Sequence, residues 1–226
     1  MSYVYMKSLE SKAQKYDRGI NTLTLGKYAK IKEYITDNYL FENETLLDIG
    51  MGTGTFAILA AKKGLFITGI DYSEKMLDVA KRNIEEQELI SQIVIKRMPV
   101  INLDKEFEDN SFDKITAMLV FSELYQKEQD FVLEQIYRVL KENGEFILVD
   151  EVKPKKFWKK VVYFFIRIPL ALITFLKSQL STKPLKNVEK RLEEYNFEII
   201  EEKLFLLDTL KLFRIKKKEE KNTDDS

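Results

Sequence analysis

The run Leu46-Leu47-Asp48-Ile49-Gly50-Met51-Gly52-Thr53-Gly54 constrains this chain more than any other stretch. An apolar run short enough for a buried strand ends at an acid. Three glycines at alternate positions follow, and then the helical pattern Thr55-Phe56-Ala57-Ile58-Leu59-Ala60-Ala61. Glycine lets the backbone turn where a side chain would clash and lets a ligand approach the main chain, while the helix start offers unbonded N–H groups. Strand, glycine turn and helix in this order make a nucleotide-binding elbow. The turn alone does not select the ligand, so the remaining motifs must.

Periodicity organises the rest. Residues 2–20 read as a loop and short helix lying over the main domain, with Tyr16 near its end. Tyr28, Ile31, Ile35 and Tyr39 recur at helical spacing within 26–39. Strands are expected at 45–49, 66–70, 92–96, 112–120 and 145–150, with helices at 54–63, 74–87 and 130–140 between them. Ser73 reads as an N-cap, and Gly64 and Asn143-Gly144 as stop signals. Strand and helix in alternation imply a parallel sheet with right-handed crossovers. A helix at 185–195 then leads to 197–201 and 204–215, which read as an antiparallel pair completing the sheet. The expectation is one domain over 1–215, with 1–40 as a helical cover, and a disordered charged tail over 216–226.

Two acids end neighbouring strands on either side of the glycine turn, where open parallel sheets bind ligands. Asp71 can accept both hydroxyls of a ribose. Asp48, one residue before the glycines, suits a cationic amino-acid end and would repel a pyrophosphate. The glycines read G-x-G-x-G, whereas a dinucleotide fingerprint is G-x-G-x-x-G. Both points favour S-adenosylmethionine over a dinucleotide, leaving a dinucleotide-dependent oxidoreductase as the weaker alternative.

At these residues the chain resembles the class I S-adenosylmethionine-dependent methyltransferases, in the branch of the quinone-biosynthesis enzymes. Leu47-Asp48-Ile49-Gly50-Met51-Gly52-Thr53-Gly54 is similar to that family's first motif, and Gly69-Ile70-Asp71-Tyr72-Ser73-Glu74-Lys75-Met76-Leu77 to its second. Asp109-Asn110-Ser111-Phe112-Asp113 leads into the fourth strand as in the family. Arg138-Val139-Leu140-Lys141-Glu142-Asn143-Gly144-Glu145 resembles its R-V-L-K-P-G-G turn, with Glu142-Asn143 in place of Pro-Gly. The resemblance covers 45–152 and implies an α/β, Rossmann-like, seven-stranded sheet with a C-terminal antiparallel hairpin. It implies cofactor binding by Asp48, Gly50, Gly52, Gly54 and Asp71, with Tyr72 and Met76 flanking ribose or adenine. Where the family carries an acid for the adenine amino group, this chain has Lys96-Arg97-Met98-Pro99-Val100, so Met98 is expected to pack on the adenine instead. Phe121-Ser122-Glu123-Leu124, together with the apolar stretch downstream, also resembles a subgroup of methyltransferases encoded beside corrinoid proteins. A corrinoid protein is thus a candidate partner, and a cofactor-binding accessory without turnover is the rival function.

The chain contains neither Cys nor His. Thiol nucleophiles, Cys/His metal sites and imidazole catalysis are therefore excluded, and any proton must move through Asp, Glu, Tyr, Lys or water. Methyl transfer from a sulfonium has a positively charged leaving group, so positioning supplies much of the acceleration. The acceptor-side candidates are Ser122, Glu123 and Tyr125, with Tyr16 from the cover. Overall charge is balanced at 37 basic and 37 acidic residues, so no global field points to nucleic acid. Residues 153–186 are the exception, with nine basic residues and no acidic one, which leaves the remainder at a net −9. Inside those flanks, 161–176 is apolar but interrupted by Arg167 and Pro169, and shorter than the ~20 residues a span requires. It reads as a helical insertion: a lid over the substrate, a helix lying in an anionic membrane surface, or a site for an acidic partner. The start of the chain has no signal-peptide pattern, so a cytoplasmic, membrane-associated enzyme acting on a small hydrophobic or lipid-like acceptor is expected.

Overall fold

The computed structural model describes residues 13–154, 156–159, 161, 163 and 184–219. The first twelve residues, most of the basic apolar insertion and the end of the charged tail lie outside them. Among the described residues two helices come first, α1 (Ala13–Leu23) and α2 (Lys27–Tyr39). Strand and helix then alternate as β1 (Thr45–Ile49), α3 (Thr55–Lys62), β2 (Phe66–Asp71), α4 (Glu74–Glu86) and β3 (Ile93–Arg97). After the short α5 (Leu103–Glu106) come β4 (Phe112–Met118), α6 (Gln126–Val139), β5 (Leu140–Glu151), α7 (Val188–Glu194), β6 (Phe197–Phe205) and β7 (Leu210–Lys217).

The strands form one seven-stranded sheet in the order β3-β2-β1-β4-β5-β7-β6. β1 to β5 are parallel and β7 is antiparallel to both neighbours. This is the expected α/β methyltransferase architecture. The strand order reverses between β1 and β4, which opens a crevice at their carboxyl ends.

β1 is buried on both faces, as a central parallel strand must be. Leu46 joins Ile31, Ile35, Phe56 and Ala60 on one side of the sheet, whereas Leu47 and Ile49 join Ile115, Val132, Ile136 and Phe146 on the other. Asp48 shares the face of Leu46, because strand side chains alternate. It therefore points toward α2.

Several boundaries depart from the sequence reading, among them the start of α6, which lies at Gln126 instead of 130. Helix α6 passes straight into β5 at Leu140, a fully buried residue with extended backbone, so Asn143-Gly144 lies inside a strand instead of ending a helix. The β4–β5 register jumps from Phe112↔Leu140 to Lys114↔Glu145, and this irregularity absorbs Lys141 to Gly144. The last hairpin turns at Leu206–Thr209, within the run 204–215 expected to be extended. Leu206, Leu207 and Asp208 take left-handed φ of 48°, 56° and 66°, a conformation that such residues do not announce in sequence. β7 also continues to Lys217, two residues into the expected tail.

Behind the hairpin, Glu145 ties three strands together. It accepts from Lys114 Nζ of β4 (3.1 Å) and from Arg214 of β7 at 2.8 and 2.6 Å. Burial opposes ionisation of Glu145, but hydrogen bonds from Arg214 and the charge of Lys114 hold its pKa below the usual glutamate value. Stability from this group is fully present above the unfolded pKa and is lost as acid takes the pH down through the folded one. Glu145→Ala, which leaves the buried Lys114 ammonium with only the longer ion pair to Glu44 at 3.5 Å and removes the Arg214 partner, is expected to lower stability by about 3 kcal/mol. The check is the urea midpoint at neutral pH, which should fall at unchanged slope.

Candidate cofactor and acceptor site

The site is built where β1, β2, β4 and β5 end. Gly50, Gly52 and Gly54 all have positive φ, at 70°, 56° and 77°. A Cβ on Gly50 would stand 2.4 Å from the Val120 side chain, so the loop can pass beneath the β4 turn only without one. Gly54 faces Ala80 of α4 and allows α3 and α4 to pack closely. At Gly52 the equivalent direction meets only a main-chain oxygen at 4.0 Å, leaving room for a ligand against the backbone.

Asp71 holds this loop. Gly52 N–H donates to its Oδ2 (2.9 Å) and Ser73 N–H to its Oδ1 (2.8 Å), while Ser73 Oγ accepts from Met76 N–H to cap α4.

Asp48 lies beneath the loop and is 3 % exposed. Thr116 Oγ1 donates to its Oδ1 at 2.8 Å, and its Oδ2 is buried with no hydrogen-bond partner among the described residues. Burial pushes this carboxyl up to about 7, against the Thr116 hydrogen bond and the charge of Lys32, which both favour the anion. Lys32 of α2 bonds Thr55 Oγ1, and burial lowers its own pKa while Asp17 and Asp48 oppose that. Asp17 of α1 accepts from Thr53 Oγ1 (2.6 Å), so the cover is tied directly to the glycine loop.

Above the loop is a cavity of about 360 Å³. Gly50, Gly52, Asp71, Tyr72 and Met98 line its cofactor side, together with Tyr16. Pro99, Val100 and Ile101 continue the wall from Met98, and Met98 N–H donates to Asp71 O at 3.0 Å. On the β4 side the lining is Met118, Leu119, Val120 and Leu124, with Glu123 and Glu128. Among the described residues of this wall none is basic.

The turn 121–124 is clamped from two elements. Ser122 N–H donates to Asp150 Oδ2 at 3.0 Å, and Gln129 Nε2 donates to Phe121 O (2.6 Å) and Leu124 O (3.1 Å). Glu128 accepts from Tyr125 N–H at 2.7 Å. The Glu123 N–H donates to Val120 O at 3.0 Å, but its carboxyl makes no hydrogen bond or ion pair among the described residues. Burial, reinforced by the charges of Asp150 and Asp71, pushes its carboxyl up to about 8. Burial likewise pushes Asp150 up to about 6, against the hydrogen bonds it receives from Ser122.

Sequence-derived candidates thus separate by place. Gly50, Gly52, Asp71, Tyr72, Met98, Tyr16 and Glu123 meet at one cavity, with Asp48 and Gly54 shaping the loop from behind. Met76 is buried with Ala13 and Val79 beneath Tyr16 and does not line it. Tyr125 stands outside, 56 % exposed, at the start of α6. Asp17, Lys32, Thr116 and Asp150 escaped sequence reasoning. Asp150 carries the signal that picked out Asp48 and Asp71, an acid closing a parallel strand. The others are joined to the site only by folding.

An electronegative, glycine-lined cleft with an orphaned buried acid below it fits a cationic nucleoside. Residues 40–220 match the family model described as a methyltransferase domain, and the chain belongs to that family: it is an S-adenosylmethionine-dependent methyltransferase. Its relatives include the demethylmenaquinone methyltransferase of Thermotoga maritima, 30 % identical over 217 residues that cover 88 % of this chain and 90 % of that one. The enzyme of the same name from Symbiobacterium thermophilum is 27 % identical over 211 residues, 89 % and 82 % of the two chains. Among solved structures, an S-adenosylmethionine-dependent methyltransferase of Aquifex aeolicus superposes with a TM-score of 0.63 at 18 % identity, over 91 % of this chain and 97 % of its own. The [4+2]-cyclase SpnF superposes at 0.65 with 18 % identity, covering 84 % and 81 %. Likeness at that identity therefore shows the fold alone.

Because the folded Asp48 pKa lies above its unfolded value of 3.8, the carboxyl costs stability as pH rises toward about 7, and the cost is complete above it. Asp48→Asn is expected to stabilise the ligand-free protein at pH 8 by about 2 kcal/mol, with no gain near pH 4. The same change should weaken S-adenosylhomocysteine about tenfold, or roughly 1.4 kcal/mol. Thermal melts across pH and calorimetric titration read the two effects separately.

Proposed function

We propose that this methyltransferase acts on a small, neutral, apolar acceptor whose methylated atom gives up a proton, such as a reduced quinone or another phenol. The observation that carries the reading is the acceptor side of the cavity, where Met118, Leu119, Val120 and Leu124 stand beside the Glu123 carboxyl, which makes no side-chain hydrogen bond or ion pair among the described residues. A wall whose described residues include acids and no bases disfavours an anionic acceptor, because a buried phosphate or carboxylate would be desolvated without a counter-charge. The relatives named for demethylmenaquinone, a hydrophobic quinone, support the same class.

In this reading Gly50 and Gly52 present main chain to the cofactor, Asp71 takes its ribose hydroxyls, and Met98 with Val100 and Ile101 encloses the adenine. Asp48 answers the cationic amino-acid end through its charge. Bound there, S-adenosylmethionine supplies a methyl group on a positively charged sulfur that keeps the electron pair of the broken bond. Glu123 accepts the proton released by the acceptor atom as its new bond to carbon forms. Asp150, by fixing the Ser122 N–H, positions the turn that carries Glu123.

Reduced demethylmenaquinone and a radiolabelled methyl donor test the assignment, beside membrane lipid extracts and soluble metabolites. Transfer to the quinol is expected, with kcat/KM rising about tenfold per pH unit until it levels near the Glu123 pKa of about 8. Glu123→Gln should lower kcat by about 10² or more and flatten that limb, leaving S-adenosylhomocysteine binding within about twofold. Transfer confined to anionic soluble metabolites would overturn the acceptor class. The corrinoid-partner reading rests partly on the apolar insertion, most of which lies outside the described residues, and it would show itself as cofactor binding without transfer to any small molecule.

A further inference from the structure

The edge of the sheet at which the cavity opens carries a second feature. Glu151 at the end of β5 pairs with Leu210 at the start of β7, so the turn 206–209 stands at the carboxyl edge of the parallel strands. Leu207 in that turn is 48 % exposed. The chain leaving β5 returns to it, and Lys159 Nζ donates to Asp208 Oδ2 at 2.6 Å. Residues 157–159, 161 and 163 of this returning segment are helical. Phe157 is 82 % exposed, Trp158 55 % and Val161 40 %. Phe157 and Val161, four residues apart, share a helix face.

The sequence around them is Lys153-Pro154-Lys155-Lys156-Phe157-Trp158-Lys159-Lys160, with five lysines and no acid. Lys153 and Lys156 are exposed. Held out in water, two adjacent aromatics are an unfavourable surface. Beside lysines they match the depth profile of a bilayer interface, where aromatic rings settle among the headgroups and ammonium groups meet anionic phosphates.

We propose that Phe157, Trp158 and Val161, with Leu207 of the β6–β7 turn, form a surface that docks the enzyme on an anionic lipid bilayer. This places the mouth of the cavity toward the bilayer, which deepens the reading of an apolar acceptor by giving it a route from the membrane. Docking itself requires no turnover, so it fails or stands apart from the acceptor assignment.

Trp158 is the sole tryptophan of the chain, and its emission reports on this surface directly. The intact protein is titrated with vesicles of mixed phosphatidylglycerol and phosphatidylcholine, and with phosphatidylcholine alone. On the anionic vesicles the emission should shift to the blue, be quenched by brominated acyl chains, and lose most of the effect when salt is raised from about 0.05 to about 0.5 M. Phe157→Ser and the double change Lys153→Glu/Lys156→Glu should each weaken the partition at least about tenfold. S-adenosylhomocysteine binding and thermal midpoint, both unchanged, would show that these variants are folded. Anionic vesicles that leave the emission unmoved at low salt would overturn the proposal. So would a blue shift that grows with protein concentration without lipid, marking a second copy on the patch, or one produced by an acidic protein and not by vesicles.

Discussion

The carboxylate of Asp71 accepts N–H groups from two loops, that of Gly52 after β1 and that of Ser73 at the head of α4, and so joins the two halves of the cofactor cleft. This bridge requires Gly50 to pass under Val120 and Gly54 to pass close to Ala80, in left-handed conformations that strain any side chain. It also requires β1 and β2 to end together, which their parallel register from Thr45↔Phe66 to Ile49↔Ile70 secures. Gly69 contributes from within β2, where the absence of a side chain makes room for Met51 of the loop. Residues on the cavity wall inherit their positions from this junction.

A second layer of charge lies under the first. Asp48 and Asp150 are buried acids with raised pKa, and Glu123 at the cavity is raised further. Clustering acids in low dielectric weakens a ligand-free fold and strengthens its attraction for a cation. The N-terminal cover responds to the same field. Asp17 bonds Thr53, Lys32 bonds Thr55, and the ammonium of Lys32 stands near both Asp17 and Asp48. α1 and α2 are thereby coupled to the loop they cover, instead of resting on it through apolar contact alone.

Asp48, the three glycines and Asp71 were readable because a strand, a turn and a helix N-terminus are contiguous in sequence, and their chemistry is nearly complete within about 25 residues. Length and alternation likewise determined the parallel sheet, since apolar strands of five or six residues separated by amphipathic helices have few other ways to bury both faces. Only the tertiary structure decided that Met76 faces the core beneath Tyr16, because a helical methionine reads the same on either face. It also decided that Leu206–Thr209 turns without glycine, through the pairing of β6 and β7 and of β7 with β5, which overrides local preference. The partners of the site, Thr116, Lys32, Asp17 and the Asp150 clamp on the Glu123 turn, lie between 16 and 68 residues from Asp48 or at comparable separations from Glu123. Burial and charge among them depend on distances in space, which one-dimensional spacing does not contain.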